Sequence, residues 1–134
     1  MSTKIFVNLP VKDLERSKKF FTALGYSFNP QFTDENAACL VISDDIYAML
    51  LTEPFFKGFM KKEIADSSKT TEVIIALSAD SKAEVDQLAD KAIEAGAKPV
   101  MDPSDLGFMY SRSFLDPDGH HWEVFWMDPA HIQS

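Results

Sequence analysis

The chain has 134 residues, 46% of them hydrophobic and 25% charged, with a single cysteine. That size suits one compact domain burying roughly two-thirds of its unfolded surface. Thirteen Lys and Arg scattered among twenty-one Asp and Glu leave a formal charge of −8, which argues against nucleic acid, because phosphate contacts need a basic stripe. No run approaches the roughly 18 apolar residues of a membrane span, and Lys4 and Asn8 interrupt the N-terminus before a signal-peptide core can form. A cytoplasmic protein with no membrane partner is expected.

In chain order, Ile5-Phe6-Val7-Asn8-Leu9 predicts a strand over Lys4–Leu9. A helix follows from Asp13 to Gly25: Asp13 can cap it, Glu15 suits its positive end, and Leu14, Ser17, Phe20, Phe21 and Leu24 recur at helical spacing. Strands over Ser27–Thr33, Ala37–Ser43 and Ile46–Thr52 complete the first half, with Cys39 expected as a buried thiol. The connector Glu53–Lys69 sets Phe55, Phe56, Phe59 and Met60 at roughly helical spacing beside Lys57, Lys61 and Lys62. It reads as a short amphipathic helix that packs on the core or a second subunit, or forms a lid.

The second half repeats the order. A strand over Glu72–Leu77 precedes a helix opened by the capping box Ser81/Glu84, faced by Val85, Leu88, Ala89, Ala92 and Ile93, and closed at Gly96. Strands over Lys98–Asp102, Met109–Leu115 and His121–Met127 follow, the last two joined by a tight Asp116-Pro117-Asp118-Gly119 turn. Two β-α-β-β-β modules, about 1–53 and about 70–128, thus flank a connector of about 53–69 in a single domain, 1–134. Neither half can bury its sheet face alone, so a site is expected where the copies meet.

The repeated layout, the opening Leu9-Pro10-Val11-Lys12-Asp13-Leu14-Glu15-Arg16-Ser17 and the ending Asp116-Pro117-Asp118-Gly119-His120-His121-Trp122-Glu123-Val124 together resemble the vicinal-oxygen-chelate superfamily. That group includes glyoxalases, extradiol dioxygenases, fosfomycin-resistance proteins and bleomycin-binding proteins. Gly107-Phe108-Met109-Tyr110 and the segment from His121 to Asp128 are similar to a branch labelled lactoylglutathione lyase, or glyoxalase-like. The resemblance implies an α+β fold in which the two modules form one eight-stranded, cupped mixed sheet with helices on its outer face. The superfamily's metal enzymes hold a divalent cation with one His, Gln or Glu on each of four strands. The matching positions here are Phe6, Leu50, Ile74 and Glu123. One-residue shifts bring in Val7, Leu51, Ile75 or Val73, and a two-residue shift brings in Asn8.

Only Glu123 of the matched positions can bind a metal, short of the three N, O or S ligands that Zn²⁺, Ni²⁺, Mn²⁺ or Fe²⁺ needs, so no metal or other cofactor is expected. His120 and His121 are adjacent and point to opposite strand faces, and His131 lies in the tail. Alternation places Phe6 with Asn8, Leu50 with Ala48 and Thr52, Ile74 with Glu72 and Ala76, and His121 with Glu123 and Phe125. If the Asp116-Pro117-Asp118-Gly119 turn joins the last two strands as a close hairpin, either Tyr110, Arg112 and Phe114 or their odd-numbered neighbours face that cavity. A four-residue turn favours the even set, which sets Arg112 beside Glu123, where relatives use a metal. The expected ligand-binding set is therefore Phe6, Asn8, Leu50, Ile74, Tyr110, Arg112, His121 and Glu123, with Glu123 the candidate catalytic residue.

The expected function is binding of a small, partly apolar molecule by a glyoxalase-like homodimer, without turnover, as in the bleomycin-binding members. The alternative is a lyase, isomerase or extradiol-type dioxygenase in which Glu123 ligates a divalent metal. In a metal-free enzyme it would instead be a general base tuned by burial and Arg112. A purely structural module finds support only in the Phe-rich connector.

Overall fold

The Asp13 carboxylate accepts from the Arg16 amide at 3.1 Å, satisfying one orphan N–H at the start of helix α1, Leu14–Ala23. The computed structural model describes residues 3–131 and shows an α+β chain of two units, Met1–Asp66 and Ser67–Ser134. No described helix is long and apolar enough to cross a membrane.

In the first unit β1 (Ile5–Val11), β2 (Ser27–Asn29), β3 (Ala37–Val41) and β4 (Ile46–Thr52) form a four-stranded sheet in the order β1-β4-β3-β2. β1 and β4 run parallel, with Leu9 beside Leu50 and Val7 beside Ala48. Paired residues share a face. Leu9, Val11, Ala38, Leu40, Ala48 and Leu50 are accordingly buried on one face, with Leu14, Phe20, Phe21 and Leu24 from α1 and its end. The other face carries Phe6, Asn8, Tyr47, Met49 and Leu51, and the connector helix α2, Glu53–Lys57, lies against β1 and β4. β2 stops short of Thr33 because Asn29 Oδ1 accepts from the Gln31 amide at 3.0 Å and Pro30 opens a 3-10 turn, Pro30–Phe32.

In the second unit β5 (Ile74–Ser78), β6 (Lys98–Pro99), β7 (Ser104–Asp105), β8 (Met109–Leu115) and β9 (His121–Met127) form a sheet ordered β5-β9-β8-β6, with β7 also paired to β8. The expected strand Lys98–Asp102 ends at Pro99 and a separate strand starts at Ser104. Proline cannot donate to a ladder, and Pro99 and Pro103 interrupt this stretch. Nine described strands therefore stand in two sheets. Helix α3, Lys82–Glu94, is capped by Ser81 Oγ, which accepts from the Glu84 amide at 3.1 Å. Glu84 Oε2 in turn accepts from the Asp80 amide at 2.8 Å, one residue beyond the ordinary capping box. Val85 and Ala89 pack on Val124, with Tyr110 and Trp126 around them. Ile93, expected on that face, is exposed.

The link between β8 and β9 is organised by the buried Asp116. Its carboxylate accepts from the amides of Asp118 at 2.9 Å and His120 at 3.0 Å, and from Trp122 Nε1 at 3.0 Å. Burial pushes this carboxyl group up, against the pull of the His120 charge and those three bonds. Gly119 has φ +85°, and a Cβ there would lie 2.9 Å from the Ser67 carbonyl oxygen, so only glycine fits.

Candidate functional site

Leu115 pairs with His121, so five residues separate the paired positions of β8 and β9. The tight turn supplies four, and His120 is the fifth: its carbonyl accepts from the Asp116 amide at 3.0 Å. A change of one residue turns every side chain to the other face. Ser113, not Arg112, stands opposite Glu123, and Ser111 stands opposite Phe125. The parallel partner β5 adds Ile74 beside His121, Ala76 beside Glu123 and Ser78 beside Phe125. Ile74, His121 and Glu123 are thus brought together as expected, on the face that α3 leaves uncovered. Glu123 is half-buried. Among the described residues nothing forms a hydrogen bond or ion pair with its carboxylate.

Arg112 and Tyr110 correct the expectation. They point to the helix face, where Arg112 Nη1 reaches Asp86 Oδ1 at 3.1 Å and Asp90 Oδ1 at 2.8 Å, and the Tyr110 hydroxyl donates to Asp86 Oδ1 at 2.6 Å. The proposed Arg112–Glu123 pair does not form, because the two residues lie on opposite sides of one sheet. The Tyr110 hydroxyl, with Arg112, holds Asp86 below the usual carboxylate range, and the same bond pushes Tyr110 up. Burial pulls Arg112 down, but its bonds to Asp90 and Asp86 outweigh that and leave it raised. The trio fastens α3 to β8.

In the first unit Phe6 stacks on Tyr47 with ring centroids 4.8 Å apart, and Asn8 shares that face. Leu50 does not join them. Its pairing with Leu9 turns it into the α1 core, where it is 0% exposed, and Leu51 takes its place. Asn8, Leu51, Phe56, Phe59 and Met60 line a cavity of about 310 Å³. The last three were not singled out as site residues from sequence, although their spacing on the connector marked an apolar face.

A divalent metal does not fit the side chains present. Around Glu123 the neighbours in register are Ser113 and Ala76, with His121 two residues away, and Ile74, beside His121, offers no donor atom. Among the described residues no three His, Cys, Asp or Glu side chains converge as a metal site. The side chain of His131 lies outside the described residues.

Residues 3–43 match a family model described as bleomycin resistance protein-like N-terminal. No curated protein matches the chain. The solved structure of hypothetical protein SA1046 from S. aureus is 30% identical, with a TM-score of 0.79 over 94% of both chains. A glyoxalase/bleomycin resistance protein/dioxygenase family enzyme from Burkholderia phytofirmans PsJN is 16% identical, with a TM-score of 0.77 over 94% of this chain and 99% of that one. TnmS3, an antibiotic binding protein from Streptomyces sp. CB03234, is 16% identical, with a TM-score of 0.68 over 96% of this chain and 98% of its own. The last two establish likeness of fold.

Proposed function

We propose that this chain, which belongs to the family of the S. aureus protein SA1046 and has the glyoxalase/bleomycin resistance/dioxygenase fold, binds a small, partly apolar molecule through Glu123 and without a divalent metal. The observation that carries this reading is the half-buried Glu123 carboxylate, which has no partner among the described residues. Such a group has lost hydration without compensation. An N–H or O–H donor on a ligand restores what was lost, and a cationic donor does so most strongly. Ile74, Ala76 and Phe125 give the remainder of the ligand an apolar surface, while Ser113 and His121 supply further polar handles. Binding without turnover is in keeping with the likeness of fold to the Streptomyces antibiotic binding protein.

A metal-dependent lyase, isomerase or dioxygenase is the weaker reading, since three of the four matched strand positions carry hydrocarbon side chains. Pairing into a homodimer is part of the proposal, and sedimentation at tens of micromolar tests it. The ligand reading is tested by thermal shift at pH 7 with tryptamine, indole and indole-3-acetate, which share one ring and differ in charge. Tryptamine should raise the Tm of the wild type by mass action and lose that effect in Glu123→Gln. Equal responses in both proteins, or no response to tryptamine, would overturn it.

A further inference from the structure

The start of β9 is held by one buried side chain. Asp116, 5% exposed, divides its carboxylate between two tasks. Oδ1 accepts from the amides of Asp118 and His120, which shapes the connection, and Oδ2 accepts from Trp122 Nε1 at 3.0 Å, which fixes the strand. Trp122 is 1% exposed and stands between Ile75 of β5 and Phe114 of β8, on the α3 side of the sheet. A bond from a ring N–H to a carboxylate is charge-assisted and stronger than a neutral one. Leaving either group buried without the other costs more than the bond itself contributes. The connection has further bonds of its own, from the Asp116 amide to the His120 carbonyl at 3.0 Å and from the Gly119 amide to the Asp116 carbonyl at 2.9 Å. Oδ2 is therefore free of the loop and serves Trp122 alone.

We infer that Asp116 is a positioning residue for the Glu123 site and acts through the Trp122 indole. This role rests on Glu123 being the anchor of the ligand. Glu123 follows Trp122 directly and their side chains point to opposite faces of β9, so a turn of the backbone between them moves both. Nothing at the end of the Glu123 side chain holds it, because Ser113 opposite and Ala76 beside it make no bond to the carboxylate. Its direction is set by the backbone. Glu123 also lies near the end of the ladder, whose first pair is Leu115 with His121, and ladder ends open most readily. The Asp116–Trp122 bond sits at that end and closes it. A carboxylate already held in its bound direction loses little freedom when a cationic donor arrives, which raises affinity without adding a contact.

The test uses the full chain carrying ¹³C-methyl methionine, with tryptamine binding followed through Met109 and Met127, which pair on the face that carries Glu123. Trp122→Phe removes the indole donor without changing any charge. Asp116→Asn keeps Oδ1 for the two amides and sets an NH₂ group against the indole N–H. Each change should weaken tryptamine at least fivefold, and the double variant should bind within about twofold of the weaker single one, because both changes break the same bond. Arg112→Met, which loosens α3 instead, should bind like the wild type. Without ligand, the order parameter of the Glu123 amide should fall from about 0.85 in the wild type to below about 0.6 in either variant. Should one variant not fold, the other carries the test. Wild-type affinity in a folded variant, losses that multiply in the double variant, or an unchanged order parameter overturns the inference and leaves the Glu123 reading standing. A wild type that binds no tryptamine overturns that reading and this inference with it.

Discussion

Ser113 and Glu123 stand opposite each other across the β8–β9 ladder, on the face of the second sheet away from α3. A serine hydroxyl is a weak partner for a carboxylate, and it makes no bond to Glu123 here. Glu123→Gln should therefore leave the ligand-free protein as stable as the wild type or more stable, by up to about 1 kcal/mol, because it removes an uncompensated half-buried charge. Urea unfolding measures this. A loss above 1 kcal/mol would mean that Glu123 holds the fold together.

Arg112 should couple to the helix and not to Glu123. Its partners are largely open to solvent, with Asp86 48% and Asp90 63% exposed, so solvent screening limits Arg112→Met to a cost of about 1 kcal/mol. A double-mutant cycle with Asp90→Asn should show coupling of a few tenths of a kcal/mol, whereas a cycle with Glu123→Gln should be additive within error. Coupling in the second cycle would contradict the strand register.

The opposite faces of Arg112 and Glu123 show what was legible in the sequence. The caps at Asp13 and Ser81 and the bounds of β4, β8 and β9 could be read because capping residues and turn residues punctuate them. The shared face of Ile74, His121 and Glu123 followed from alternation and a matched family pattern. What could not be read was loop length. His120 belongs to the connection because the buried Asp116 takes its amide, a tertiary fact that no local pattern displays. Leu50 and Leu51 were indistinguishable for a related reason. Ala48-Met49-Leu50-Leu51 is apolar throughout, so nothing in it marks which side faces α1.

Tyr110→Phe should cost about 0.5 to 1 kcal/mol near neutral pH through loss of the bond to Asp86. Asp86 is lowered in the folded state, so its share of stability is present above its unfolded value of 3.8 and is lost as pH falls through the folded one. Tyr110 is raised, so its share is present below 10.0 and is lost as pH rises through the folded value. The stability gap between wild type and variant should be widest between those limits and shrink at both ends. A gap independent of pH would mean the hydroxyl does not meet the carboxylate in solution.

Thr52 Oγ1 is buried and has no hydrogen-bond partner among the described residues. Replacing an unsatisfied hydroxyl by a methyl of the same shape removes a desolvation cost, so Thr52→Val should stabilise the protein by about 1 kcal/mol. The Thr52 amide bond to the Asn36 carbonyl, 2.9 Å, is unaffected by the change. A fall in the urea midpoint would contradict the orphaned hydroxyl.

The central claim is that Glu123 is the polar anchor of a ligand site, and the Met109 and Met127 methyls, paired on its face, report on it most directly. Titration with tryptamine should shift both methyls saturably in the wild type and at least tenfold more weakly in Glu123→Gln, with Arg112→Met responding like the wild type. Methyls that stay still in the wild type, or that respond equally in Glu123→Gln, would contradict the account.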